Sequence, residues 1–140
     1  MNKMSPVVHF EMPGVNMARM KKFYENAFGW QTNQLGSEMG DYIVVNTTET
    51  DKNRMIKKPG AINGGFYKKT DKAMSQYPSV VISVDDINVA AKKVKEAGGK
   101  VIGGQKGDGT PDEIPGIGLY SSIIDTEGNR ISMLQPKGMM

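Results

Sequence analysis

One order of sequence patterns occurs twice along this chain of 140 residues, with an offset of 70 residues. Asn16 and Gly29 bracket a helical apolar stripe in the first half, and Asp86 and Gly99 bracket another in the second half. In each half an alternating apolar segment comes before the helix, and three further strand patterns come after it. A pattern of supersecondary size that occurs twice in a sequence predicts two copies of one structural module, here a βαβββ module.

The first strand pattern separates two faces. Residues at even positions of segment 6–12 are apolar, and those at odd positions include both a histidine and a carboxylate. Because a helix packs on the apolar side of a sheet, the odd positions are predicted to face away from it. The apolar face is Val8, Phe10 and Met12, and the other face is Val7, His9 and Glu11.

The same patterns give a complete set of elements and an α+β fold class. They predict one domain over residues 1–140, with a module at about 5–70 and another at about 77–137. Each module is a cupped mixed sheet with a helix on its outer face. The predicted strands are 6–12, 30–35, 41–47, 61–68, 79–84, 100–102, 119–124 and 130–135, with loops at 48–59 and 103–118.

Composition excludes several classes of function. The chain has no cysteine, so disulfides, thiolate metal sites and thiol nucleophiles are absent. The net charge of +3 favours anionic ligands, but the lysines occur in short pairs without an aromatic-rich basic stripe, and nucleic-acid binding is not expected. No segment approaches the roughly 20 apolar residues that span a membrane. We expect a cytoplasmic protein that binds neither nucleic acid nor membrane.

His9 and Glu11 are the candidate catalytic residues, since they share a strand face. A histidine titrates near neutral pH, and a neighbouring carboxylate could exchange protons with it or with a ligand. Two structural alternatives stay open. His9 could be a hydrogen-bonded residue of the cup, and Glu11 could be a strand-end charge that reaches solvent.

Further residues are predicted to line the ligand site of the cup. Glycine inside a strand marks either a bulge or a close approach, which makes Gly65 a candidate. Trp30 either packs beside the first helix or forms a wall of the cavity, and the tyrosines either contact the ligand or pack with a solvated hydroxyl. The predicted ligand-binding residues are His9, Glu11, Trp30, Tyr42, Asn63, Gly65, Ser79, Tyr120 and Ser132.

Several ordered motifs resemble one known family. They are His9-Phe10-Glu11-Met12-Pro13, Phe23-Tyr24, Phe28-Gly29-Trp30, Val84-Asp85-Asp86-Ile87, Ala97-Gly98-Gly99-Lys100-Val101, 114–118 and 125–131. Together they resemble glyoxalase-related, lactoylglutathione lyase-like proteins of the glyoxalase/bleomycin resistance/dioxygenase superfamily, also called the vicinal oxygen chelate superfamily. The resemblance covers essentially the whole chain and implies the fold of paired βαβββ modules.

The resemblance also implies where a metal would bind. In metal-dependent members, the first and last strands of each module each supply one ligand, drawn from histidine, glutamate and sometimes glutamine. The first position matches His9, whereas the others fall on 63–65, Ser79 and Ser132. Three protein ligands are the usual minimum for a catalytic ion, so standard glyoxalase or dioxygenase chemistry is not expected. The predicted cofactor content is none, with a weakly held divalent ion at His9 as the remaining alternative.

The functional prediction is therefore a glyoxalase-like protein that binds a small organic molecule in its cup. Whether it is an enzyme is left open, with a lyase-related activity through His9 and Glu11 as the catalytic form. One alternative is an antibiotic-sequestering, bleomycin-resistance type of module without catalysis, against which the positive net charge argues because such drugs are cationic. Another is an interaction role with an empty pocket. The resemblance also implies a homodimer.

Overall fold

The computed structural model describes residues 4–72 and 75–137 and has an α+β fold. The chain divides into two compact units. The first unit is His9–Ser79, and the second contains Val80 onward together with the residues before His9.

The elements of the first unit are β1 Val7–Gly14, which starts two residues before His9, α1 Met17–Phe28, β2 Gln31–Gln34, β3 Ile43–Asn46 and β4 Asn63–Lys68. The last strand pairs in parallel with the first, and the remaining neighbours are antiparallel, in the order β2-β3-β4-β1. One turn of 3-10 helix, Ser37–Met39, lies between β2 and β3.

The elements of the second unit are β5 Ser79–Ser83, α2 Ile87–Glu96, β6 Lys100–Gly103, β7 Asp112–Ile114, β8 Gly118–Ile124 and β9 Arg130–Pro136. Its strands have the corresponding order, β5-β9-β8-β6, again with the first and last strands parallel. The predicted loop 103–118 is wrong in one respect, because it contains β7, which pairs with β8. A three-residue strand among glycines and prolines is too short to show an alternating pattern.

Local capping explains why both helices begin where the sequence predicts. The side-chain oxygen of Asn16 accepts a hydrogen bond from the backbone N–H of Arg19 at 3.0 Å, and that of Asp86 accepts one from Asn88 at 2.9 Å. Such caps satisfy backbone donors that have no partner inside the helix. Gly29 follows α1 with a φ of 71°, a left-handed conformation that favours glycine.

Each unit has its own apolar core between helix and sheet. In the first, Met17, Ile43, Val45 and Phe66 are buried, and Phe10, Met12, Met20, Tyr24 and Trp30 pack against them. In the second, Val84, Ile87, Ile123 and Met133 are buried beside residues of α2 and the sheet. Since alternate side chains of a strand point to opposite faces, the remaining strand residues lie on the face away from the helix.

Neither helix resembles a membrane-spanning segment. Within the part of the chain that the structure describes, no helix combines the length and the apolar character needed to cross a lipid bilayer.

Candidate functional site

In the first unit, the face of the strands β2-β3-β4-β1 that points away from α1 carries five of the predicted site residues. We call this set, His9, Glu11, Tyr42, Asn63 and Gly65, the first polar face. Strand register brings four of them together, because His9 pairs with Asn63 and Glu11 pairs with Gly65 across β1 and β4. Phe10 and Met12, which alternate with them, belong to the apolar core. The predicted separation of the two faces of β1 is confirmed.

Glu11 is a buried carboxylate with a specific partner. Only 8% of the residue is exposed. The Tyr42 hydroxyl donates a hydrogen bond to its Oε2 at 3.1 Å. A hydrogen bond to an ionised group contributes about 1.5–3 kcal/mol, which offsets part of the cost of burying the charge. The alternative of a solvated strand-end charge is therefore wrong for Glu11.

His9 is partly buried on the same strand face, two residues before Glu11. Burial disfavours the charged imidazolium and lowers the pKa of His9 below its ordinary value of 6.5. The imidazole is consequently neutral at physiological pH. A neutral imidazole carries one N–H donor and one acceptor nitrogen, so it can donate a hydrogen bond to a ligand oxygen without supplying a full charge.

This shift has a consequence for stability against pH. Below about pH 6.5 the unfolded chain binds a proton at His9 that the folded chain resists, so the free energy of unfolding is expected to fall as pH decreases through this region. Carboxylates titrate mainly below this range, and His9 is the only histidine in the chain. Urea unfolding of the protein and of His9→Gln between pH 5.5 and 7.5 checks this, since the variant is expected to lack this component. A midpoint above 6.5 for the imidazole proton signals in NMR would contradict the prediction.

Asn63 has a structural role at the His9 end of the face. Its side-chain carbonyl accepts hydrogen bonds from the backbone N–H groups of Thr47 at 2.8 Å and Thr48 at 3.3 Å. The Thr47 hydroxyl donates to the backbone carbonyl of Ile62. These contacts tie the chain leaving β3 to the start of β4, so the Asn63 carbonyl is already used to fix the loop between them.

The second unit has a corresponding set, Tyr120, Arg130 and Ser132, which we call the second polar face. The hydroxyls of Tyr120 and Ser132 share a hydrogen bond at 2.6 Å, and an Nη of Arg130 donates to the Tyr120 hydroxyl at 3.1 Å. Ser132 is completely buried. The sequence prediction missed Arg130, although its position two residues before Ser132 on β9 places both on one face.

Two other predicted ligand residues lie outside these sets. Trp30 packs in the first core, with its ring centroid 4.8 Å from that of Tyr24 and 5.6 Å from that of Phe10. Of its two predicted roles, the structure places Trp30 beside the first helix and not among the polar-face residues. Ser79 is the first residue of β5 and is partly buried. Because Ile82 packs in the second core, alternation places Ser79 on the opposite face of that strand.

The donor groups at the positions of the implied metal are poor ligands. His9 contributes one imidazole, whereas Gly65 has no side chain and the Ser132 hydroxyl bonds to Tyr120. Within residues 4–72 and 75–137, no group of three or more histidine, cysteine, aspartate or glutamate side chains could hold a metal ion.

A separate surface cavity of about 420 Å³ lies next to the C-terminal end of β4 in the first unit. It is lined by Val15, Lys69, Thr70, Asp71 and Gln76. None of the predicted site residues borders it, so the polar faces remain the candidate site.

Comparison with known proteins shows first the fold that this chain shares with solved structures and then its family. The fold is shared with solved structures over nearly all of this chain. A methylmalonyl-CoA epimerase from Mycobacterium tuberculosis has a TM-score of 0.65 and 13% identity, over 99% of this chain and 94% of that one. A hypothetical protein from Bacillus halodurans C-125 has a TM-score of 0.68 and 10% identity, over 99% of both chains. The methylmalonyl-CoA epimerase of Streptomyces coelicolor, in complex with 2-nitronate-propionyl-CoA, has a TM-score of 0.68 and 10% identity, over 97% of this chain and all of that one.

At these identities the likeness concerns the fold alone. The family model of the Glyoxalase/Bleomycin resistance protein/Dioxygenase superfamily, however, matches residues 7–133. The chain belongs to this superfamily, as the sequence motifs predict. A search of curated proteins found no significant match.

Proposed function

We propose that this protein binds a small carbonyl compound against the first polar face and moves a proton next to its carbonyl group, without a tightly bound metal. One observation carries the proposal: a buried carboxylate, Glu11, lies two residues from a histidine, His9, on one strand face. Burial lowers the pKa of His9 and so favours its neutral form. A carboxylate base beside a neutral imidazole is an established pair for this reaction, since the imidazole can donate a hydrogen bond to the oxygen that gains charge.

The roles follow from the chemistry of each group. Glu11 accepts the proton from the carbon next to the carbonyl. His9 donates its N–H to the carbonyl oxygen and supports the developing enolate. Residues two apart on a strand are separated by roughly 7 Å, so the two side chains can reach neighbouring atoms of one ligand. Return of the proton from Glu11 completes the exchange.

The donor set does not fit the metal that the family implies. Catalytic ions usually have three protein ligands, whereas the matching positions here offer His9, a glycine and two serines. A serine hydroxyl is a weak ligand for zinc, nickel or iron, and Ser132 already bonds to Tyr120. The proposed proton transfer therefore uses no metal ion.

Coenzyme A thioesters are the first ligands to test. Solved structures of the same fold include a methylmalonyl-CoA epimerase in complex with methylmalonyl-CoA, which has a carbon acid next to a carbonyl. The net charge of +3 also favours an anionic ligand. Since identity to that protein is 12%, the thioester class is a starting point for a wider panel of carbonyl compounds.

The test is hydrogen–deuterium exchange in D₂O, followed by NMR, with protein treated with a chelator. We expect exchange of the proton next to a carbonyl for at least one member of a panel that includes methylmalonyl-CoA and propionyl-CoA. Glu11→Gln is expected to lower the rate by about 100-fold or more, the usual contribution of a general base. Glu113→Gln, which changes an exposed carboxylate of β7, is the matched control and is expected to leave the rate unchanged.

Several outcomes would overturn the proposal. Exchange that is lost on chelation and restored by added metal would show a metal mechanism. Exchange that survives in Glu11→Gln would exclude Glu11 as the base. The absence of exchange and of any thermal shift across the panel would reject the carbonyl ligand. A thermal shift with bleomycin alone would instead favour the sequestering alternative.

The predicted homodimer and cytoplasmic location remain predictions. Light scattering of the purified protein at several concentrations checks the first, and a mass equal to one chain would contradict it.

A further inference from the structure

Gly65 lies where an ordinary side chain has no space. A Cβ built at this position would lie 1.8 Å from the hydroxyl oxygen of Tyr42 and 2.1 Å from its Cζ. Gly65 is not among the glycines with a positive φ, so its backbone conformation is open to other residues. The fold therefore requires glycine at position 65 because it has no side chain, and not because of its backbone freedom.

Strand register explains why the tyrosine lies there. Both Glu11 of β1 and Val44 of β3 pair with Gly65, so the glycine lies between the two strands. Tyr42 precedes Val44 by two residues and lies on the same face. Its ring crosses Gly65, and its hydroxyl reaches Oε2 of Glu11 on the far side.

The second unit shows the same arrangement with a different outcome. Ser132 of β9 pairs with Val81 of β5 and with Ser122 of β8, so it corresponds to Gly65. Tyr120 precedes Ser122 by two residues and corresponds to Tyr42. Here the tyrosine hydroxyl bonds to the Ser132 hydroxyl, and Val81 stands where the first unit has Glu11.

We infer that Gly65 is a positioning residue, which keeps open the path of Tyr42 to Glu11. With any side chain at position 65, the tyrosine hydroxyl would be displaced from the carboxylate. The second unit indicates that a serine there would take the hydrogen bond for itself. The functional meaning of this inference rests on the proposed role of Glu11 as the base, but the positioning can be measured without a ligand.

The direct measurement is the ¹³Cζ signal of Tyr42, which responds to hydrogen bonding of the phenol and is assigned by its loss in Tyr42→Phe. As a single substitution, Glu11→Gln is expected to shift this signal. In Gly65→Ala the signal is expected to be displaced already, and Glu11→Gln is expected to add no further shift. Gly65→Ser reproduces the arrangement at Ser132 of the second unit. In this variant too, the Tyr42 signal is expected not to respond to Glu11→Gln, and the Tyr42 ring is expected to be displaced less than in Gly65→Ala.

A second substitution at Tyr42 distinguishes this positioning role from a general intolerance of β4 to any side chain at its glycines. The melting temperature lost in Gly65→Ala is expected to be at least half recovered by adding Tyr42→Ala, because the clash is with the tyrosine. Gly64→Ala is the matched control: its Cβ would lie 2.4 Å from the backbone oxygen of Phe10, so Tyr42→Ala is expected to recover nothing. Gly65→Ala with Tyr42→Ala also supplies a folded protein if Gly65→Ala alone does not fold.

The outcomes distinguish the two proposals. A Tyr42 signal that still responds to Glu11→Gln in Gly65→Ala and in Gly65→Ser overturns the positioning role. Equal recovery of the Gly64 and Gly65 variants by Tyr42→Ala also overturns it. If the signals behave as expected but no carbonyl compound exchanges, the proposed function fails while the positioning role stands. If both hold, Gly65→Ser is expected to lower the exchange rate 10-fold or more.

Discussion

Replacing Phe66 with alanine is expected to lower the free energy of unfolding by about 3–5 kcal/mol, the range for deleting a fully buried aromatic side chain. Phe66 has no exposed surface. Its ring centroid lies 5.2 Å from that of Tyr24 and 6.4 Å from that of Trp30. It also pairs with Met12 and Ile43 in the neighbouring strands, so the cavity would open at the centre of the first core.

Phe23→Ala is the matched control in the same aromatic group. The residue is 56% exposed, although its ring packs edge-to-face on Tyr24. We expect a loss of about 1 kcal/mol, because the substitution removes only the edge-to-face contacts of an exposed ring with Tyr24 and Phe28. Urea unfolding followed by circular dichroism measures both variants. Similar losses in the two would contradict the view that Phe66 organises the core on which the first polar face is built.

Much of the fold could be predicted because its signals are local. The structure confirms several features that are each decided within a few residues of the chain. They are the alternation in β1, the N-caps Asn16 and Asp86, and Gly29 at the C-terminal end of α1. The repeat then predicts the sequence of elements in each half, a strand followed by a helix and three strands. β7 was missed because its three residues take their conformation from pairing with β8, a contact that no local pattern encodes.

The candidate site could be predicted only in part, because its partnerships are long-range. His9 and Glu11 share a strand face, which two-residue alternation predicts. The partnership of Glu11 with Tyr42 joins residues 31 apart and depends on the register of β3, β4 and β1. The sequence left Gly65 as either a bulge or a close approach, and only the position of the Tyr42 ring identifies the close approach.

A second large effect is expected at Gly118, where β8 begins. Its φ is 145°, and a Cβ there would lie 2.0 Å from the backbone oxygen of Gln135 in β9. Both atoms that would have to separate belong to strands that are paired over their whole length, so a rotamer change cannot relieve the clash. Gly118→Ala is expected to lower the free energy of unfolding by roughly 3 kcal/mol, from backbone strain and overpacking together.

Gly116→Ala tests whether the contact or the conformation of Gly118 causes this loss. Gly116 precedes the same strand with a φ of 78°, but nothing lies within 4 Å of the position of its Cβ. Only the left-handed backbone is then penalised, and we expect a loss of about 1–2 kcal/mol. Because β8 and β9 carry Tyr120 and Ser132, Gly118→Ala is also expected to displace the ¹³Cζ signal of Tyr120, while Gly116→Ala leaves it in place. Equal losses in both variants, with an unmoved Tyr120 signal, would mean that β8 and β9 tolerate the added carbon and that the second polar face does not depend on this close approach.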